Sequence, residues 1–268
     1  MPLNTYGHIR KRGVMQISQI IPNLTSHQRV KKVADFHEYV ILAKEEMLRG
    51  VHLFKLVPMD SSSVTPFLAG QYVSLTNPRY REPLEEHSFS IASAPHVTGH
   101  LEICMKVYGN WTQAAAKLSL GDRVLVKGPY GEFTWKEQIQ NAVFLVGGIG
   151  ISPLLSLLRD LEYKKSTAAI TLIYGNQTPD TIMYHKELQR LAQSIHLRTV
   201  HVFSHLEEIH PWTGYRGFIS SEILEKEVYF QKKPHFFFCG PPIFTHKVKA
   251  MLHTFGVWES FFHEEKLV

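Results

Sequence analysis

Two fold classes follow one another along this chain: a small antiparallel β-barrel, then a mostly parallel sheet layered with helices. Three observations predict that order. Ahead of residue 138 apolar residues recur at every second position, as strands with one buried face require. Beyond it they come in short unbroken runs followed by helical spacing, and each of those runs ends in a turn carrying glycine or proline. Apolar strand alternating with amphipathic helix implies parallel strands covered on both faces.

Residues 1–32 are read as an extension or an extra strand, with a turn at Pro22-Asn23-Leu24-Thr25-Ser26. The barrel domain is expected over 33–137. Val51, Leu53, Lys55 and Val57 alternate there with His52, Phe54 and Leu56; Leu101, Ile103, Met105 and Val107 alternate with Glu102, Cys104 and Lys106; Val124 and Val126 lie between Arg123, Leu125 and Lys127. Turn residues separate these strands at Thr98-Gly99, Leu120-Gly121-Asp122 and Gly128-Pro129-Tyr130-Gly131. One segment is chemically unusual. Between Glu86 and Pro95 a strand would point His87 and Phe89 to one face and Ser88 and Ser90 to the other. An aromatic beside a hydroxyl suits a flat isoalloxazine ring with a hydrogen-bonding edge, and equally a plain strand with a solvated face. Downstream, Gly109-Asn110-Trp111-Thr112 precedes a helix-prone run from Gln113 to Leu118. Thr112 is expected to cap that helix, whose free N–H groups also suit a pyrophosphate.

The α/β domain is expected over 138–268. Its units are Ala142–Val146 into Leu154, Leu155, Leu157, Leu158 and Leu161; Ala169–Tyr174 into Leu188, Leu191 and Ile195; and Phe236–Cys239 into Val248, Met251, Leu252 and Phe255. The first strand stops in Gly147-Gly148-Ile149-Gly150-Ile151-Ser152-Pro153, the second in Gly175-Asn176-Gln177-Thr178-Pro179, the third in Cys239-Gly240-Pro241-Pro242. Any one of these is an ordinary tight turn or a phosphate cradle. Three at one edge of one sheet favour a nucleotide crevice, because ligands of such sheets bind beyond the carboxyl ends of the strands.

Composition removes several alternatives. At 268 residues and 44% hydrophobic the chain can bury a full core. No window approaches the roughly 20 apolar residues that span a bilayer. Arg10-Lys11-Arg12 leads into Val14–Ser18 with no signal-peptide core, so the cytoplasm is the expected compartment. The two cysteines, Cys104 and Cys239, supply neither a disulfide framework nor a four-thiolate iron–sulfur or zinc site. His201 and His205 are spaced by four but flank Val202-Phe203 and a loop, and are read as surface histidines rather than metal ligands. A net charge of +5 suits an acidic partner. The basic residues are scattered, without the aromatic-interleaved stripe of a nucleic-acid binder.

Together, these motifs resemble the ferredoxin–NADP reductase superfamily, in the two-domain form of oxygenase reductases, cytochrome b5 reductases and the reductase part of flavohaemoglobins. The resemblance runs from about Lys32 to the C-terminus through Ala69–Leu75, His87–Pro95, Gly109–Thr112, Gly121–Val124 with Gly128–Phe133, Gly147–Pro153, Tyr174–Pro179 and Cys239–Pro242. It implies a six-stranded FAD-binding barrel followed by an NAD(P)H-binding domain. On the flavin side it implicates His87, Ser88, Phe89, Ser90, Ile91 and Ala92, then Lys106, Val107, Tyr108, Gly109, Trp111 and Thr112. On the nicotinamide side it implicates Gly147, Gly148, Gly150, Ser152, Pro153, Gly175, Asn176, Cys239, Gly240 and Pro241. Ser90, Cys239 and Glu265 would line the hydride-transfer site. The activity implied is transfer of hydride from a nicotinamide nucleotide to FAD, with electrons passed on to a separate acceptor protein.

Several positions depart from the family pattern. His87 stands where an arginine is usual and replaces a permanent guanidinium fork, a loss of about 1.5–3 kcal/mol or roughly ten- to hundredfold in flavin binding. Phe89 replaces a tyrosine, and Leu267 stands where an aromatic often covers the flavin. These departures also fit a catalytically degenerate regulatory or scaffold subunit that binds flavin or nucleotide weakly. Ser204-His205 followed by Leu206-Glu207-Glu208 replaces the family's phosphate-binding Ser-Arg pair, and the acids favour NADH over NADPH.

Overall fold

The computed structural model describes residues 35–60, 63–76, 85–207 and 210–266. The Pro22–Ser26 turn, the 1–32 extension, Glu208 and Leu267 lie outside them. Six strands build the first sheet: β1 His37–Leu48, β2 Val51–Pro58, β3 Tyr72–Thr76, β4 His87–Ser90, β5 Leu101–Lys106 and β6 Arg123–Tyr130, in the order β4-β3-β6-β1-β2-β5 and antiparallel throughout. An isolated bridge between Ile91 and Ile103 joins the two outer strands and closes the sheet into the expected barrel. Its interior is filled by alternate residues, among them Phe54 and Leu56 of β2, Val73 and Leu75 of β3, Leu101, Ile103 and Met105 of β5, and Val124 and Val126 of β6.

Helix α1, Gly109–Ala115, corrects the expected cap. Tyr108 is the N-cap residue and the helix starts before Thr112. The Thr112 hydroxyl accepts from the Tyr108 N–H and donates to the Tyr108 carbonyl, both at 2.5 Å. The physical cause is burial: Trp111 and Ala115, one turn apart on a single face, enter the barrel core and draw the first turn with them.

The second sheet is parallel, with β7 Asn141–Gly147, β8 Ala169–Asn176, β9 Leu197–Phe203, β10 Tyr215–Arg216, β11 His235–Gly240 and β12 Phe262–Lys266 in the order β10-β9-β8-β7-β11-β12. Helices α2 Ile151–Tyr163, α3 His185–Ser194, α4 Ser221–Glu227 and α5 Pro242–Thr254 cover its faces. Alternation along β11 divides the core: Phe237 and Cys239 join the cluster under α2 and α3, while Phe236 and Phe238 join the cluster under α4 and α5. The former cluster also takes in Val51, Ala69, Cys104 and Phe133 of the barrel side, so one apolar core runs across both sheets. His201 is not a surface histidine. It is half-buried on β9, stacked on Phe203 and His185, and burial lowers its pKa to about 4. Among the described residues, no helix is long and apolar enough to cross a membrane.

Candidate functional site

The strand order of the parallel sheet reverses at β7, with β8, β9 and β10 on one side and β11 and β12 on the other. The loops leaving the carboxyl ends of β7 and β11 therefore meet at the switch point, where sheets of this class take their ligands. Their meeting is a backbone contact. A Cβ on Gly150 would lie 2.3 Å from the Cys239 carbonyl oxygen, so only glycine lets the two loops touch. Gly148 has φ +53° and open space where a side chain would project. The Gly148–Gly150 turn leads into α2, and the Ser152 hydroxyl faces inward, donating to the Ile149 carbonyl at 3.0 Å, with Pro153 buried beside it.

Tyr174, wholly buried on β8, donates its hydroxyl to the Gly148 carbonyl at 2.9 Å and pins the turn from below. Next along β8, Gly175 pairs with Gly147, and Asn176 returns to the Tyr174 face. The Asn176 side chain is buried there. A buried amide at the strand end beside an open glycine turn fits a bound dinucleotide, which would offer it an acceptor.

Across the gap, Cys239 is fully buried and pairs in register with Glu265 on β12. Burial, with the Glu265 and Glu264 carboxylates adding to it, pushes the Cys239 thiol far above its ordinary pKa, so it stays protonated. Burial alone raises Glu265 to about 7. The pair thus presents a neutral thiol and a carboxyl poised to exchange a proton near neutrality. Gly240 is buried behind them, whereas Pro241 is exposed at the loop tip.

On the barrel, β4 carries His87 and Phe89 on one face. Both lie against Trp111, His87 stacked at 4.5 Å and Phe89 tilted at 5.6 Å between ring centroids. Trp111 is a buried plate under the two rings, and its Nε1 lacks a partner among the described residues. His87 Nε2 is paired with Glu85 at 2.7 Å. Ser88 is exposed, Ser90 is half-buried at the strand end, and Ile91 and Ala92 are wholly buried beyond it. Lys106 is exposed, Val107 half-buried, and Tyr108 is 86% exposed beside Gly109, which turns the chain at φ +77° with open space around it. The half-buried Ser90, the exposed Lys106, the bare Tyr108 ring and the open Gly109 are groups that could hold a flavin nucleotide between β4 and α1. The buried Thr112 hydroxyl, tied to Tyr108, serves the loop rather than an open surface.

At the far end of the crevice, Ser204 Oγ lies 2.8 Å from His205 Nδ1, and the Ser204 N–H donates to the Asn176 carbonyl at 3.0 Å. Sequence reasoning missed Arg216, which β10 brings beside β9. Its guanidinium donates to the carbonyls of Glu207 at 3.0 Å, His210 at 2.6 Å and Trp212 at 3.2 Å. Tyr174 was read only as the start of the Tyr174–Pro179 motif and not as a site residue, since a tyrosine inside an apolar run gives no sign of where its hydroxyl points.

Known proteins share this organisation. An oxidoreductase FAD-binding domain family matches residues 38–135, and an oxidoreductase NAD-binding domain family matches residues 144–250. The chain belongs to the ferredoxin–NADP reductase superfamily. Within it, the chain is 24% identical over 229 residues to NADH-cytochrome b5 reductase 1 of Eremothecium gossypii, covering 83% of this chain and 80% of that one. It is 30% identical over 206 residues to the glycine betaine monooxygenase reductase subunit of Pseudomonas aeruginosa PAO1, covering 74% of this chain but 56% of that subunit. The flavohaem-like FAD/NAD binding domain of nitric oxide dioxygenase from Vibrio cholerae superposes with a TM-score of 0.77 at 21% identity, covering 87% of this chain and 98% of that one. This superfamily member is therefore an FAD- and NAD(P)H-dependent electron-transfer reductase.

Proposed function

We propose that this reductase takes hydride from NADH and passes electrons to a separate acceptor protein in the cytoplasm, with residues 33–137 holding FAD and residues 138–268 holding the nucleotide. When bound, FAD supplies hydride acceptance and one-electron release. The chain's own residues position and protonate. Gly147, Gly148, Gly150 and Asn176 would seat the nucleotide; Ser90 would face the flavin edge; Cys239 would pack as a neutral group against the nicotinamide; Glu265 would hold or release a proton at its carboxyl. The observation that carries this reading is the backbone junction of Gly150 with Cys239 at the switch point, with Glu265 in register beside it.

The preference for NADH rests on Arg216. The described residues near Ser204 and His205 include this guanidinium, but three carbonyl oxygens already take three of its five N–H donors, and Glu207 adds negative charge. A separate acceptor is what the names of the cytochrome b5 and oxygenase relatives describe, and the net charge of +5 suits an acidic one. The visible spectrum of the purified protein tests the whole reading. Yellow protein bleached by NADH, faster than by NADPH, supports it; protein that takes up no added FAD supports instead a regulatory subunit, the reading that the His87–Glu85 pair favours. Yellow protein bleached only by NADPH overturns the nucleotide assignment.

A further inference from the structure

We infer that Ser156 and Arg159 of α2 are positioning residues that hold the nicotinamide turn at a fixed distance from the flavin strand. The inference rests on the reductase reading above. Helix α2 begins at the glycine turn and turns one stripe toward the barrel, residues 152, 156, 159 and 163, at the three- and four-residue spacing of a single helix face. Each member meets the barrel. Ser152 lies against Cys104; Ser156 Oγ donates to the Ser93 carbonyl at 2.6 Å; Arg159 donates to the Ala92 carbonyl at 2.8 Å and to Glu102 at 2.5 Å; the Tyr163 ring stacks on His96 at 4.0 Å.

Ala92 and Ser93 follow Ser90 by two and three residues. The path from the hydride-accepting end of β4 to the glycine turn thus runs through two main-chain carbonyls, two hydrogen-bonded side chains and one rigid helix. Ser93 and Ser156 are essentially inaccessible to solvent, so water cannot replace their bond. The guanidinium is gripped from its other edge by Glu187 of α3, at 2.7 and 2.8 Å, in a bidentate fork. Glu102 is itself held by Lys55 at 2.9 Å and His100 at 3.5 Å. Although burial acts to raise its pKa, His100, Arg159 and Lys55 outweigh that and keep it a carboxylate.

The groove beside this cluster, about 290 Å³, is not an anion site, because Lys55, Arg159 and Arg190 each already face a carboxylate. The charges fasten one domain to the other. Reacting atoms in hydride transfer must sit within about 3–3.5 Å of each other, and a displacement of about 1 Å can cost roughly a hundredfold in rate. A fastening two helical turns from the glycine loop acts directly on that distance.

Two variants and two readouts test the inference on the full chain. Arg159→Lys keeps the charge and loses the fork; Ser156→Ala loses one hydroxyl. Nitroxide labels at Lys117→Cys and Lys186→Cys, both exposed positions on opposite sides of the interface, read the interdomain distance without cofactor or nucleotide; Cys104 and Cys239 are buried. Both variants should broaden a narrow distance distribution. In the FAD-loaded protein, Arg159→Lys should lower the limiting rate of flavin bleaching by NADH about tenfold and Ser156→Ala about threefold, with FAD content and NADH affinity within twofold of the parent. An unchanged distance distribution overturns the inference, as does a broadened one with an unchanged limiting rate. Parent protein that holds FAD but is not bleached by NADH sinks the reductase reading instead, and the distance measurement then decides the fastening by itself.

Discussion

The two cofactor-facing regions are built from different materials. At the switch point the contacts are made by backbone: Gly150 against the Cys239 carbonyl, Gly148 open at positive φ, and the Gly148 carbonyl fixed by Tyr174. Along β4 and α1 they are made by side chains, with His87 and Phe89 laid on Trp111 and Thr112 tied to Tyr108. The difference sets how much change each region tolerates. A side-chain surface tolerates replacement of one group at a time, as at His87 and Phe89. A backbone junction such as Gly150 against the Cys239 carbonyl admits no added atom at all.

The largest effect should come from adding one methyl group to the backbone region. Gly150→Ala places a Cβ 2.3 Å from a main-chain oxygen that cannot rotate away. Thermal or denaturant unfolding should register a loss of about 3 kcal/mol, at the upper end of overpacking costs, while Gly148→Ala, strained in φ but unobstructed, should lose about 1 kcal/mol. Equal losses at the two positions would mean that backbone contact is not what distinguishes this junction.

Next in size is the pH dependence contributed by Glu265. Its folded pKa of about 7 lies above the ordinary 4.5, so the folded state binds the proton more tightly. Stability from this group is complete below about pH 4.5 and is lost as pH rises through about 7. Glu265→Gln, measured against the parent by denaturant unfolding, should match it at pH 4 and exceed it by about 2–3 kcal/mol at pH 8. Identical pH profiles for the two proteins would show that the carboxyl is not held protonated by burial.

The smallest effect belongs to the side-chain region. His87→Arg should tighten FAD binding about tenfold, read by flavin release on dilution, and leave unfolding of the apoprotein within about 0.5 kcal/mol, because the imidazole is half-exposed and its partner Glu85 is a surface acid. Unchanged FAD affinity would contradict the role given to the missing guanidinium.

Legibility in the sequence followed the regularity of each element. Strands β7, β8 and β11 were readable to within a residue or two, since burial on both sides leaves unbroken apolar runs such as Ala142 to Val146, and the leucines at 154, 155, 157, 158 and 161 marked α2, which starts three residues earlier. Strand β1 was not, because register shifts between Ile41 and Ala43 and between Glu46 and Leu48 break the period of two. The start of α1 was misread for a related reason: Thr112 has the chemistry of a cap, but the pull of Trp111 into the barrel sets where the helix begins. The stripe of Ser152, Ser156 and Arg159 was not read from the sequence, because polar residues on a helix are ordinarily solvated and only the packing shows that this face is turned to the barrel.

Local chemistry in the chain by itself determined the two architectures, the family, and the glycine and Cys-Gly-Pro turns at the strand ends, because strand period, helix spacing and turn residues act over a few neighbours. Tertiary structure decided what those turns meet. The Gly150–Cys239 junction spans 89 residues and the Ser156–Ser93 bond spans 63. Contacts of that separation depend on strand order and on which face of a helix is buried, quantities set by the packing of the whole core rather than by any segment within it.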